Sequence, residues 1–200
     1  MLDTYGRKIA DPTINLMGSS LISIGLSPNN VTVISFIIGL SASLAYFTGH
    51  VAFAVLLLWI SGALDAVDGA MARKMNATSS FGCLMDVTFD RLVEIGLIIS
   101  IFLRNPEAGL PLILLCSSII FSMTVFLTVG ALSANNGMKS FRYQAGLAER
   151  TEGFLLFTLM IIFESHVVIF AYLFSLIVCY TAIQRMLEAK KIFTLVEAKK

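Results

Sequence analysis

One stretch, residues 65 to 90, sets charge into an apolar chain. It runs Asp65-Ala-Val-Asp68-Gly69-Ala-Met-Ala72-Arg73, then eight further residues, then Gly82-Cys-Leu-Met-Asp86-Val-Thr-Phe-Asp90. Four carboxylates and an arginine stand inside or beside segments apolar enough to cross a membrane. Ionisable groups at that depth are costly unless something compensates them, so they are functional by default. Asp65 and Asp68 are three residues apart and Asp86 and Asp90 four, so each pair shares one helix face. Two such faces turned toward each other make an all-oxygen nest for a hard divalent cation, Mg2+ or Mn2+.

Outward from this stretch the chain is apolar. Two hundred residues suit a single domain, and 57% of them are hydrophobic, above the soluble average. Six stretches approach or reach the roughly 20 residues that a crossing helix needs. They are Val31–His50, Val51–Arg73, Gly82–Leu103, Pro111–Ser133, Glu152–Glu164 and Val167–Arg185. The fifth is the weakest, because its clean apolar core runs only from Phe154 to Phe163. The expected fold is an all-α, polytopic integral membrane protein. Residues 1–24 form an amphipathic interfacial helix, and residues 31–188 form a six-helix catalytic bundle. Leu2, Tyr5, Ile9, Ile14, Leu16 and Met17 supply the apolar side of the first helix, and Asp11-Pro12 is expected to break it. No cleavable signal peptide is read in it.

Lys and Arg set the orientation. Arg7 and Lys8, Arg73 and Lys74, Lys139, Arg142 and Arg150, and Arg185, Lys190, Lys191, Lys199 and Lys200 all fall on one side. Arg104, His50 and His166 fall on the other. The positive-inside rule then places both termini and the Asp stretch at the cytoplasmic face of the cell membrane. A net charge of +1 gives no support to a nucleic-acid partner. Cys83, Cys116 and Cys179 have no metal-ligand spacing and read as apolar packing. Ser133-Ala-Asn-Asn-Gly-Met-Lys-Ser140 reads as the loop between spans four and five.

The stretch resembles the signature of the class I CDP-alcohol phosphotransferases, D-x2-D-G-x2-A-R-x8-G-x3-D-x3-D. Asp65, Asp68, Gly69, Ala72, Arg73, Gly82, Asp86 and Asp90 occupy every fixed position. The resemblance implies transfer of a phosphatidyl group from a CDP-linked lipid, such as CDP-diacylglycerol, to a small alcohol, with CMP released. It implies two Mg2+ or Mn2+ ions held by Asp65, Asp68, Asp86 and Asp90. Asp90 would also be the catalytic base. Gly69, Ala72, Arg73 and Gly82 would contact the donor, with Arg73 as a phosphate clamp. It also implies a homodimer in the lipid bilayer.

A second similarity lies at Leu26-Ser27-Pro28-Asn29-Asn30-Val31-Thr32, where relatives carry a Pro-polar-x-x-Thr turn at the CDP site. It adds Asn29 and Thr32 to the donor set, and Ser79 joins them by position. In any case Pro28, Asn29 and Asn30 read as a turn and N-cap. Glu94, one turn past Asp90, faces either the acceptor or Arg91.

The acceptor is read from absences. Relatives that use inositol phosphate carry Lys-x-Arg on span four and Glu-Arg-Pro-Glu-Arg entering span five. Here span four ends Thr128-Val-Gly-Ala-Leu-Ser133, and span five is entered by Glu149-Arg150-Thr151-Glu152-Gly153. Arg150, Arg142 and Lys139 remain as acceptor candidates. With the other cations missing, a neutral or zwitterionic alcohol is expected over a phosphorylated one. Two other functions stand beside this one. One is the same chemistry making a non-lipid phosphodiester. The other, of a different class, is a divalent-cation transporter, disfavoured because the aspartates sit at one membrane face and Arg73 would oppose conduction.

Overall fold

The computed structural model describes the backbone of residues 2–135 and 150–197, and side chains over 11–133 and 151–194. Every regular element among the described residues is helical. The helices are α1 (Leu2–Ser23), α2 (Pro28–Phe47), α3 (Val51–Lys74), α4 (Ser80–Arg104), α5 (Gly109–Asn135), α6 (Arg150–Ile162) and α7 (Val167–Glu197). Single 3-10 turns, Pro106–Ala108 and Glu164–His166, precede α5 and α7.

Four segments are long and apolar enough to cross a membrane: Pro28–Phe47, Val51–Lys74, Pro106–Ser133 and Glu164–Thr194. Their outward faces are apolar too. Leu44, Phe53, Ile113, Ile120, Ile169 and Leu176 are all more than half exposed, as suits a protein solvated by lipid rather than water. Two expected spans fall outside this set for different reasons. α4 has the length, but Asp86, Asp90, Arg91 and Glu94 lie along it. α6 is only 13 residues long.

Local chemistry explains the boundaries. Ser27 caps α2, its hydroxyl accepting from the Asn30 amide at 3.2 Å. Pro28 takes the first helical position, where its missing N–H costs nothing. The cap is therefore one residue before the expected turn, and Asn29 and Asn30 lie in the first helical turn. Gly25 and Gly49 turn the chain after α1 and α2 with φ of +84° and +90°. Asn76 does the same after α3 at φ +50°, with the Ala77 amide closing back on the Ala72 carbonyl at 2.9 Å. Ser79 then caps α4, accepting from the Gly82 amide at 3.0 Å. This short reversal sets the end of α3 beside the start of α4, and with them the two aspartate pairs.

Three expectations need correction. Asp11-Pro12 does not break α1, which runs unbroken from Leu2 to Ser23. The proline is exposed and forfeits one backbone bond, while Ile14, Leu21 and Ile22 hold the helix against Val67 and Met71. α7 does not stop near Arg185 but continues to Glu197, because nothing between them breaks a helix. The loop expected from Ser133 begins later, since α5 continues to Asn135; the rest of that stretch lies outside the described residues.

α2 is the central packing partner, lying against both α3 and α4, while α5 lies on α7. Small residues permit this. A Cβ at Gly39 would stand 2.6 Å from Val93 Cγ2, and one at Gly96 3.0 Å from Ser43 Oγ. Tyr46, Leu58, Leu97, Ile101, Phe157 and Met160 fill the core. At the end remote from the aspartates, Arg104 donates to the Tyr46 carbonyl at 2.7 Å and pairs with Glu164 at 2.8 Å. Asn105 donates to the Tyr46 hydroxyl at 3.1 Å, so this end is closed by polar contacts.

Candidate metal centre and adjoining cavity

Asp65 and Asp68 from α3 and Asp86 from α4 converge. One carboxylate oxygen from each lies within 4.8 Å of the others. Asp65 and Asp68 are buried, at 7% and 5% exposure, and Asp86 is half-buried. Three carboxylates this close repel one another unless a cation stands between them. The donor set is all oxygen, which fits a hard divalent ion. Asp90 is not in this group of three. It lies one turn along α4 and, with Asp65, lines the cavity described below.

The expected donor residues fall in two places. At the end of α3, a Cβ on Gly69 would stand 3.4 Å from Arg73 Nη1, so the guanidinium lies back over Gly69 on the helix surface. Arg73 itself is exposed, and Ala72 beside it is partly buried. At the start of α4, a Cβ on Gly82 would stand 3.1 Å from both Asn29 Oδ1 and Ser79 Oγ, so these three residues meet. Thr32 is buried, its hydroxyl donating to the Pro28 carbonyl at 3.1 Å, and it lies on the cavity wall.

The cavity has a volume of about 230 Å³. Thr32, Ser35, Ser61 and Asp65 line it from α2 and α3, and Asp90, Arg91 and Glu94 from α4. Ser122 of α5, Gly153 of α6 and Arg185 of α7 complete its polar wall, over a floor of Leu58, Leu97 and Phe157. Glu94 pairs with Arg91, which settles one of the two partners expected for it. Of the acceptor candidates, Lys139 and Arg142 lie outside the described residues. Arg150 begins α6, and its side chain lies outside them as well.

Arg185 was read from the sequence only as a charge that orients the chain. The signal that would have placed it here is helical period: Phe174 and Val178 line the same cavity, and Arg185 continues their face two turns further along α7.

Residues 25–189 match the model of the CDP-alcohol phosphatidyltransferase family. The chain belongs to this family. It is thus an enzyme that moves a phosphatidyl group from a CDP-linked lipid to an alcohol in phospholipid synthesis. It is 32% identical over 192 residues to the archaetidylinositol phosphate synthase of Pyrococcus horikoshii, covering 96% of this chain and 97% of that one. It is 28% identical over 158 residues to the phosphatidylinositol phosphate synthase of Corynebacterium glutamicum, covering 76% and 70%. In fold it is similar to the phosphatidylinositol phosphate synthase of Mycobacterium tuberculosis solved with CDP-DAG bound. That match has a TM-score of 0.68 at 19% identity and covers 88% of this chain and 92% of the other. The same enzyme has been solved with manganese and citrate.

Proposed function

We propose that this member transfers the phosphatidyl group to a phosphorylated polyol of the inositol phosphate type. The observation that carries the reading is a juxtaposition: the Asp65–Asp68–Asp86 cluster adjoins a cavity whose wall includes both Asp90 and Arg185. An acceptor in that cavity can turn a hydroxyl toward a carboxylate and a phosphate toward a guanidinium. The names of the relatives from Pyrococcus and Corynebacterium support the same acceptor. The neutral acceptor expected from the missing cations is set aside, because Arg185 supplies a cation from a helix that the sequence motif does not reach.

In this reading Asp65, Asp68, Asp86 and Asp90 hold two divalent ions, Mg2+ or Mn2+. When bound, such ions neutralise charge on the pyrophosphate and on the departing CMP. Asp90 accepts the proton of the attacking hydroxyl, a role its place on the cavity wall suits. Arg73 clamps a donor phosphate with its fork, over a helix surface that Gly69 and Ala72 keep low. Asn29, Thr32, Ser79 and Gly82 bound the nucleotide where α2 meets the start of α4. Arg150, with Arg142 and Lys139, extends the cationic side of the acceptor site.

We read α2 to α7 as six crossings around residues 31–188, with α1 lying at the interface. α4 reaches roughly 37 Å and α6 roughly 20 Å at 1.5 Å per residue, so α6 is the shortest of the six. The excess of Lys and Arg at the aspartate end supports a cytoplasmic site and cytoplasmic termini in the cell membrane. A homodimer is the assembly proposed.

The test is CMP release by the purified protein in detergent with CDP-diacylglycerol and a panel of alcohols. Inositol phosphate should outrun inositol, serine and glycerol at equal concentration. Preference for a neutral alcohol would overturn the acceptor assignment and leave the family reaction in place.

A further inference from the structure

α6 is short, 13 residues, and its first turns form part of the cavity wall. Two contacts with α3 fix it in place. The Phe154 ring lies directly over Gly62, where a Cβ would stand 2.5 Å from its Cε1 and 2.9 Å from its Cζ. Only glycine fits there while the ring keeps its place. One turn further along α6, the Thr158 hydroxyl donates to the Phe154 carbonyl at 2.7 Å and accepts from the Trp59 indole N–H at 3.1 Å. The indole also meets the Phe154 ring edge-on, with centroids 6.0 Å apart. The seated ring and the hydroxyl bridge together hold α6 against α3 in rotation and in register.

These contacts stand beside the chemistry. Gly62 is three residues before Asp65, so the Phe154 ring and the Asp65 carboxylate share a face of α3 one turn apart. Phe154 and Asp65 both line the cavity. α6 also meets α7, where Phe157 lies edge-on against Phe174 with centroids 5.2 Å apart, and α7 carries Arg185. α6 is therefore the spacer between the helix of the buried aspartates and the helix of Arg185. We propose that Phe154 is a positioning residue for the acceptor: seated in the notch at Gly62, its ring sets how far α6, and behind it Arg185, stands from Asp65. The inference rests on the reading that the acceptor binds in this cavity, and it deepens that reading by naming what fixes the cavity's width. It predicts a split. The metal and donor residues of that reading lie on α2, α3 and α4, so metal and donor binding should not depend on the placement of α6, whereas acceptor binding should.

The experiment measures kcat/KM for the acceptor, at saturating CDP-diacylglycerol, in the full-length protein and in its Phe154→Ala and Gly62→Ala variants. The acceptor is whichever alcohol of the panel the unaltered protein uses best, so the result does not depend on its being inositol phosphate. Phe154→Ala should lower this kcat/KM by about tenfold or more, as misplacement of a binding wall does. KM for CDP-diacylglycerol and the Mg2+ or Mn2+ needed for half-maximal turnover should move little. Gly62→Ala displaces the ring from its notch and should give the same split. Adding Phe154→Leu to Gly62→Ala should recover part of the loss, because the smaller side chain makes room for the new methyl. This recovery decides the matter if Phe154→Ala does not fold. An unchanged acceptor kcat/KM in both single variants, equal losses for donor and acceptor, or no recovery in the double variant would overturn the proposal. Arg185→Ala separates it from the reading beneath it. If Arg185→Ala leaves KM for the acceptor unchanged, the acceptor does not bind in this cavity and both fail. If it raises that KM while Phe154→Ala and Gly62→Ala change nothing, the proposal for Phe154 alone fails.

Discussion

Ser35 and Ser61 each bond to the other's helix: the Ser35 hydroxyl donates to the Ser61 carbonyl at 2.8 Å, and the Ser61 hydroxyl returns to the Ser35 carbonyl at 2.9 Å. Both residues are buried. The reciprocal pair fixes α2 and α3 in rotation and in register together, because sliding either helix breaks both bonds. Asp65 lies one turn from Ser61, and Thr32 lies one turn from Ser35. The pair thus holds the helix with the buried aspartates against the helix that carries Asn29 and Thr32.

Removing half of this pair should loosen the metal helix more than it destabilises the protein. Polar contacts between membrane helices average about 0.6 kcal/mol. Ser61→Ala should therefore lower thermal stability in detergent only slightly while raising the concentration of Mg2+ or Mn2+ needed for half-maximal turnover. Unchanged metal dependence in Ser61→Ala and in Ser35→Ala would show that the pair has no part in positioning Asp65.

Asp90→Asn should keep donor binding and lose most turnover. The amide preserves shape but cannot accept the proton, a role typically worth about 10²–10⁴-fold. Asp65→Asn should instead weaken metal and donor binding together, since Asp65 is part of the close carboxylate group. Single-turnover rates and donor binding, measured side by side, separate the two effects. Near-normal turnover by Asp90→Asn would remove it as the base.

Much of this site was legible in the sequence because fixed spacing on a helix survives into geometry. Asp65, Asp68, Asp86 and Asp90 were expected together; oxygens of the first three lie within 4.8 Å of one another, and Asp90 stands outside that group. Asn29, Ser79 and Gly82 were assembled from separate parts of the chain, and they meet at the start of α4. What escaped depended on contacts between helices. Nothing in the sequence pairs Ser35 with Ser61, twenty-six residues apart. Arg185 carries a charge that topology alone accounts for, so its place on the cavity wall becomes visible only once α7 is seen to continue past it. The N-cap was expected at Pro28, Asn29 and Asn30, but Ser27 takes it, because Pro28 occupies the first helical site and carries the two asparagines into the first turn.

Arg185→Ala should raise KM for a phosphorylated acceptor by about tenfold or more, consistent with loss of a charge-assisted contact. KM for CDP-diacylglycerol should move little, since Arg185 lines the cavity and Arg73 does not. Arg185→Lys should recover part of the loss, keeping the charge and losing the fork. Equal effects on the KM of inositol phosphate and of inositol would return Arg185 to a structural or topological role.

On the function proposed, Asp65, Asp68 and Asp86 hold a divalent cation without which the CDP-linked donor cannot react. The most direct measurement is CMP release from CDP-diacylglycerol with inositol phosphate, before and after exhaustive EDTA treatment and after return of Mg2+ or Mn2+. Release should stop on chelation and resume with either ion, and Asp86→Asn should resist rescue at the concentrations that restore the unaltered protein. Full CMP release after complete removal of divalent ions would show that these carboxylates do not act through a metal.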